Sequence, residues 1–252
     1  MLSDPQQRLL AQALSKSPVR KVDNFGKNII GQIVVSKAPR PLQFESLLEC
    51  SHIIRRERDP RVVQILDQAL TIPIAYKGNR SSRKTTHVPD FLVEWCDGLT
   101  IEEVKPLKRV LNDRRFSEKR RQAELFAAQF EAEYRVFTEA DQGEQTLSSN
   151  LEFLSCFRFA PNHLRDLEER FIQTVTQSPG MTVRELADAA HPCTPYQALP
   201  CIWHLIYAGR LCADLVSEEL RAGSEHTLQL YPSSYLRVDS STYQLPLKPG
   251  AI

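Results

Sequence analysis

Little in this chain marks it out for a special environment. Its six cysteines, Cys50, Cys96, Cys156, Cys193, Cys201 and Cys212, make no CxxC pair and no zinc-ligand spacing. That argues against a disulfide-stapled scaffold or a zinc site, and for reduced thiols in the cytoplasm. No long hydrophobic run is present. The longest stretch without Asp, Glu, Lys or Arg, 189–209, is broken by Pro192, Pro195, Pro200, His191, Gln197 and His204, too polar to span a membrane. The stretch MLSDPQQRLLAQALSKSPVRK has no basic head, apolar run or small-residue cleavage site, so no signal peptide and a cytoplasmic location are expected. An excess of one charge is missing too. Lys and Arg number 32 against 31 Asp and Glu, which excludes a polycation that coats nucleic acid or membrane indiscriminately. What is left, 252 residues with 42% hydrophobic and 25% charged, is the composition of an ordinary folded protein with room for two domains.

Charge is unevenly spread along the chain. Residues 1–160 carry 25 Lys and Arg against 21 Asp and Glu, whereas residues 161–232 carry 5 against 9. A mildly basic front is therefore joined to an acidic back. Within the front, Lys105, Lys108, Arg109, Arg114, Arg115, Lys119, Arg120 and Arg121 face only Asp113 and Glu118 as nearby acids. On its own such a block is a solvated helix face.

The residues just before the block give it a chemical neighbour. His87–Trp95 (HVPDFLVEW) and Leu99–Lys105 (LTIEEVK) are strand-like and are separated by Asp97-Gly98, a hairpin signal. With Asp97 and Gly98 as the turn, Asp90 lies opposite Lys105 and Leu92 opposite Glu103. Alternation then puts Asp90, Glu103 and Lys105 on one face, with Cβ separations of roughly 5 Å across the strands. Phe91, Val93, Trp95 and Val104 are expected on the other face as core. Two carboxylates suit Mg²⁺, which takes oxygen ligands and retains several waters, with Mn²⁺ able to substitute. The metal activates water and offsets charge on a phosphoryl oxygen, and an adjacent lysine stabilises the anionic transition state. That is phosphodiester hydrolysis. A surface ion pair on an ordinary hairpin is the bland alternative. By parity Glu102 points to the opposite face, Glu94 lies nearer the turn, and a structural hydrogen bond is expected of His87.

The surroundings favour the sharper reading. Pro41–Glu57 has helical periodicity, with Glu45 and Glu49 one turn apart and able to send a third carboxylate to the hairpin. Phe116–Phe130 reads as a helix and Tyr134–Thr138 as a strand. This order resembles the PD-(D/E)xK nuclease superfamily, and within it the N-terminal domain of TnsA-family transposon endonucleases. The resemblance is carried by Phe44-Glu45-Ser46-Leu47-Leu48-Glu49, Asp59-Pro60-Arg61-Val62-Val63, Gln68, Leu70-Thr71-Ile72, His87-Val88-Pro89-Asp90-Phe91-Leu92-Val93, Glu103-Val104-Lys105-Pro106 and Val136-Phe137-Thr138-Glu139. It spans residues 25–155. It implies a restriction-endonuclease-like α/β fold, a mixed sheet flanked by helices, in a prokaryotic protein. It also implies a role in cut-and-paste transposition. The chain would cleave the 5′ side of transposon ends in double-stranded DNA, while the DDE-class transposase subunit TnsB cuts the 3′ side. By resemblance Asp90 and Glu103 are metal-binding acids, Lys105 is the catalytic lysine and Glu45 is the helix acid, with Glu49 its rival. The basic block then acquires a use, with Lys108, Arg109, Arg114 and Arg115, and Arg83 and Lys84 of the loop before Asp90, expected on DNA phosphates.

The acidic back reads as helices over His163–Val175, from the capping box Thr182-Val183-Arg184-Glu185 to Ala190, and over Tyr196–Ala208 ending at Gly209, then two short strands. Pro200 predicts a later start or a kink in the third helix. This is the order of a winged helix-turn-helix. Its third helix has no Lys or Arg before Arg210, which points to protein docking rather than DNA reading. By resemblance the partner is the AAA+ regulator TnsC. The expected organisation is an N-terminal arm at 1–24, a nuclease domain at 25–160, a small winged-helix domain at 161–232 and an extended tail at 233–252. A standalone restriction or repair nuclease, and a non-catalytic scaffold with a nuclease fold, are the alternatives.

Overall fold

Strands rich in Val, Ile, Leu and aromatics alternate here with amphipathic helices, and a computed structural model shows how they assemble. It describes residues 1–15, 29–77, 82–143, 145–159, 165–235, 237–238 and 243–244. The chain divides into two compact units, Met1–Gln142 and Gly143–Ile252.

The first unit runs α1 (Asp4–Leu14), β1 (Gly31–Ile33), β2 (Leu42–Phe44), α2 (Leu47–Arg58), β3 (Val62–Asp67), β4 (Ile72–Lys77), β5 (Ser82–His87), β6 (Phe91–Trp95), β7 (Gly98–Val104), α3 (Leu107–Asn112), α4 (Arg114–Ala128) and β8 (Glu133–Phe137). A mixed sheet in the order β3-β6-β7-β8 forms its centre, antiparallel except for the parallel β7–β8 pair. A parallel neighbour needs a crossover, and α3 with α4 supplies it. On one sheet face Leu66, Leu92, Leu99, Ile101 and Tyr134 pack with Ala123 and Ala127 of α4. Leu9 and Ala13 of α1 join the same core, Leu9 fully buried. The segment expected as an arm is thus partly a packed helix, because burying a leucine is worth roughly 1.5–3 kcal/mol. On the other face α2 lays His52 and Arg56 against Phe91, Trp95 and Phe137.

The hairpin register differs from expectation by two residues. Trp95 pairs with Gly98 and Phe91 with Glu102, so Cys96 and Asp97 form the turn. This sets Leu92 opposite Ile101 and Val93 opposite Thr100, where the expected register would have put glutamates against them. Moving a two-residue turn by one position moves each partner by two, so every side chain keeps its face. Phe91, Val93 and Trp95 do face away from Glu103, but both faces of the hairpin are covered. The Arg83–Lys84 segment is not a loop: both residues lie in β5, paired to β4 with Lys84 opposite Ala75.

The second unit contains α5 (Gln145–Ser155), α6 (Arg165–Gln177), α7 (Val183–Asp188), α8 (Pro195–Tyr207) and the antiparallel pair β9 (Leu211–Cys212) with β10 (Tyr231–Pro232). The division at Gln142 rather than 160 reflects α5. Its buried Asn150 donates to the carbonyls of Leu215 and Glu218 and accepts from Leu220 N, tying the helix to this unit. The Thr182–Glu185 capping box forms as expected. The helix α8 begins before Pro200 rather than after it, because Thr194, Pro195 and Gln197 make a capping box with proline at the first turn. Gly209 follows it at φ +70, the left-handed cap the sequence predicts. In the expected tail, Arg237–Val238 pairs antiparallel with Tyr243–Gln244.

Candidate active site

The bend before β6 and the end of β7 bring the acids together. Asp90 is held by its backbone and by its side chain. Its carbonyl accepts from Gln68 N at 2.8 Å, with Gln68 in the left-handed region at φ 45, and its Oδ2 accepts from Val104 N at 2.7 Å. The observed register sets Asp90 level with Glu103 on the α4 side of the sheet. Glu103 is buried at 7% exposure. Its Oε1 accepts from Lys119 Nζ of α4 at 2.7 Å. Its Oε2 is buried without a hydrogen-bond partner, 3.3 Å from His87 Nε2. That contact becomes an ion pair only if His87 is protonated. His87 also lies 3.2 Å from the Tyr134 hydroxyl, so the expected structural histidine borders the acids themselves.

The acids raise one another's proton affinity. Burial, then the charges of Glu103 and Glu49, push the Asp90 carboxyl well above the usual carboxylate range, with Lys119 pulling the other way. Glu49 is also raised, chiefly by burial and then by Glu45 and Glu103, against hydrogen bonds from Glu45 N and Ser46. Tyr134 is raised by burial and by Glu103 and Asp90.

Glu45 stands differently from expectation. The helix α2 starts at Leu47, after Ser46, whose side chain caps Glu49 N. Glu45 therefore precedes the helix, and its Oε1 accepts from Gln68 Nε2 at 3.1 Å. Of the two acids, Glu49 is the one inside the helix, at its third position, and its Oε2 accepts from Glu45 N at 2.8 Å. The Ser46-x-x-Glu49 pattern is a capping-box signal that sequence reading could have used. Lys105, just past the end of β7, turns toward α4. Its Nζ lies 4.5 Å above the Phe116 ring and 3.9 Å from Asp113 Oδ2. Lys108, Arg109 and Arg115 are exposed on α3 and the start of α4, and Lys84 is exposed on β5. The side chains of Arg83 and Arg114 lie outside the described residues.

Residues 59–139 match the family model for the TnsA-like endonuclease N-terminal domain. The chain carries a TnsA-like endonuclease N-terminal domain. No curated protein matches the chain. The TnsA-like domain is a transposition-related nuclease domain, and the central mixed sheet with its helices fits a nuclease-like fold. The match covers Asp90, Glu103, Lys105 and Lys119. Glu45, Glu49 and the second unit lie outside it. No helix among the described residues is long and apolar enough to cross a membrane.

Nucleases of this kind generally use divalent metals. The residues present fit one in the type of their donors. All the candidate ligands are oxygen, and Glu103 keeps a buried oxygen that nothing else hydrogen-bonds. Among the described residues no group of three or more His, Cys, Asp or Glu is arranged to hold an ion. Two protein carboxylates completed by water and phosphate is a Mg²⁺ arrangement rather than an all-protein cage.

Proposed function

We propose that this chain is the metal-dependent DNA endonuclease subunit of a heteromeric transposase and cleaves the 5′ ends of the transposon during cut-and-paste transposition. The observation that carries the reading is Asp90 and Glu103 on one sheet face, with a buried glutamate oxygen that accepts no hydrogen bond, inside a TnsA-like domain. A buried oxygen without a partner costs free energy unless a ligand uses it.

Asp90 and Glu103 would hold Mg²⁺ or Mn²⁺, with Glu49 rather than Glu45 the acid whose charge reaches them. The bound ion would supply Lewis acidity and an activated water. Lys105 supplies a positive charge beside the scissile phosphate where anionic charge builds. The hydrogen bond from Val104 N holds Asp90 in place, and α4 closes the site from one side. Lys108, Arg109, Arg114 and Arg115, with Arg83 and Lys84, meet flanking phosphates, and no base-reading group stands out among them. The TnsA family implies a DNA substrate and Tn7-type partners, read here as the DDE transposase TnsB and the AAA+ regulator TnsC. Within the second unit, α6, α7 and α8 followed by the β9–β10 pair are read as a winged helix that docks TnsC, in keeping with the acidic balance of residues 161–232.

Incubation of transposon-end DNA with the chain and Mn²⁺, alone and with both partners, tests this. The expected result is 5′-strand cleavage only with the partners present. Cleavage by the chain alone would favour a standalone nuclease, and DNA binding with no cleavage in either condition would favour a scaffold.

A further inference from the structure

Two lysines share the Phe116 ring at the acid site, and they do different things. Phe116 is 2% exposed and carries Lys105 Nζ at 4.5 Å and Lys119 Nζ at 5.2 Å. The lysine next to Glu103 in the strand pattern, Lys105, looks toward Asp113 at the cap of α4. The lysine that reaches the acids is Lys119, which donates to Glu103 Oε1 at 2.7 Å. That pair is shielded, with the side chains 18% and 9% exposed, so it is weakly screened by salt. One ammonium serves two carboxylates, pairing with Glu103 and pulling on Asp90, and it leaves Glu103 Oε2 without a hydrogen bond.

We infer that Lys119 is the resident counter-cation of the metal-free acid cluster and sets metal affinity by opposing the incoming divalent ion. Its charge stabilises the clustered acids when no metal is bound. The same charge repels a second cation brought to Glu103 and Asp90. Lys119 is thus a positioning residue, acting through Glu103. The inference rests on the metal-dependent reading above and extends it to a residue outside the D…ExK pattern.

Calorimetric Mn²⁺ titration of the full chain beside Lys119→Met, Lys119→Arg and Lys105→Met separates the possibilities. Methionine keeps the packing on Phe116 and removes the charge. Lys119→Met should bind Mn²⁺ roughly tenfold more tightly, the scale of one charged hydrogen bond. Lys119→Arg should return to the wild-type affinity, and Lys105→Met should stay within about twofold of it, since its nearest ion-pair partner is Asp113 at 3.9 Å. A purely structural role would lower the melting temperature without tightening metal binding. Should Lys119→Met fail to fold, Lys119→Gln removes the charge with a similar helix propensity. Wild-type binding with equal or weaker binding in the neutral variants would overturn the role of Lys119 alone. No binding by any protein would overturn the metal reading and this inference with it.

Discussion

Glu102 and Glu103 are neighbours on one strand and face opposite sides of one sheet. Glu102 is fully buried, and both of its oxygens are used. His52 Nε2 lies 2.6 Å and Arg56 Nε 2.9 Å from Oε2, and Thr100 donates to Oε1 while accepting from Trp95 Nε1. Burial alone would raise this carboxyl, but Arg56 and His52 outweigh it and hold it at about 2. Burial keeps His52 neutral despite that carboxylate, so its Nε2 carries the proton that the bond uses. Glu103, one residue on, keeps an oxygen unsatisfied and sits among acids that resist ionisation. The same side chain is a structural anchor on one face and a poised ligand on the other. Satisfaction of its partners, not burial, makes the difference.

The sharpest way to break the contrast is Glu102→Gln, which strands the largely buried Arg56 side chain. It should cost roughly 3–5 kcal/mol and lower the melting temperature by about 10 °C. Glu102 ionises more readily folded than unfolded. Its contribution is therefore full above its ordinary value of 4.5 and is lost as pH falls toward about 2. Denaturant unfolding of wild type across that window should show the loss, and Glu102→Gln should not. On the other face Lys105→Met should reduce cleavage by the partnered complex roughly 10²–10³-fold with an unchanged melting temperature.

Asp90→Asn sharpens the contrast further, because it should stabilise while it inactivates. The folded Asp90 binds a proton more readily than the unfolded chain does, so the stability this supplies is present at low pH and is lost as pH rises through the folded value. Asparagine accepts from Val104 N without that loss, and the melting temperature at pH 8 should rise by about 2–4 °C, roughly 1 kcal/mol. An unchanged or lower value would mean that the acids are not in conflict. The smallest effect is expected at the exposed cations. Removing Lys108, Arg109 and Arg115 together should weaken DNA binding evenly across sequences and lower the salt slope by about one per lost phosphate contact.

The face shared by Asp90, Glu103 and Lys105 was readable from alternation alone, and it survived a misplaced turn because the two-residue shift preserves parity. The exclusion of Glu102 from the site followed from the same parity. Partners distant in sequence were not readable. Lys119 lies sixteen residues from Glu103, and Gln68 reaches Glu45 across twenty-three, so no local period reports either contact. The start of α2 was written in Ser46 and Glu49, yet the apolar spacing of 41–57 concealed it. The membership of α5 depends on Asn150 bonding residues about seventy positions away, which composition does not record.

The most direct test of the account is a calorimetric Mn²⁺ and Mg²⁺ titration of the wild type beside Asp90→Ala and Glu103→Ala. The wild type is expected to bind both ions, and binding is expected to vanish in both variants. Equal binding in all three proteins would contradict the account, because the acids on the α4 side of the sheet would then not be what holds the metal.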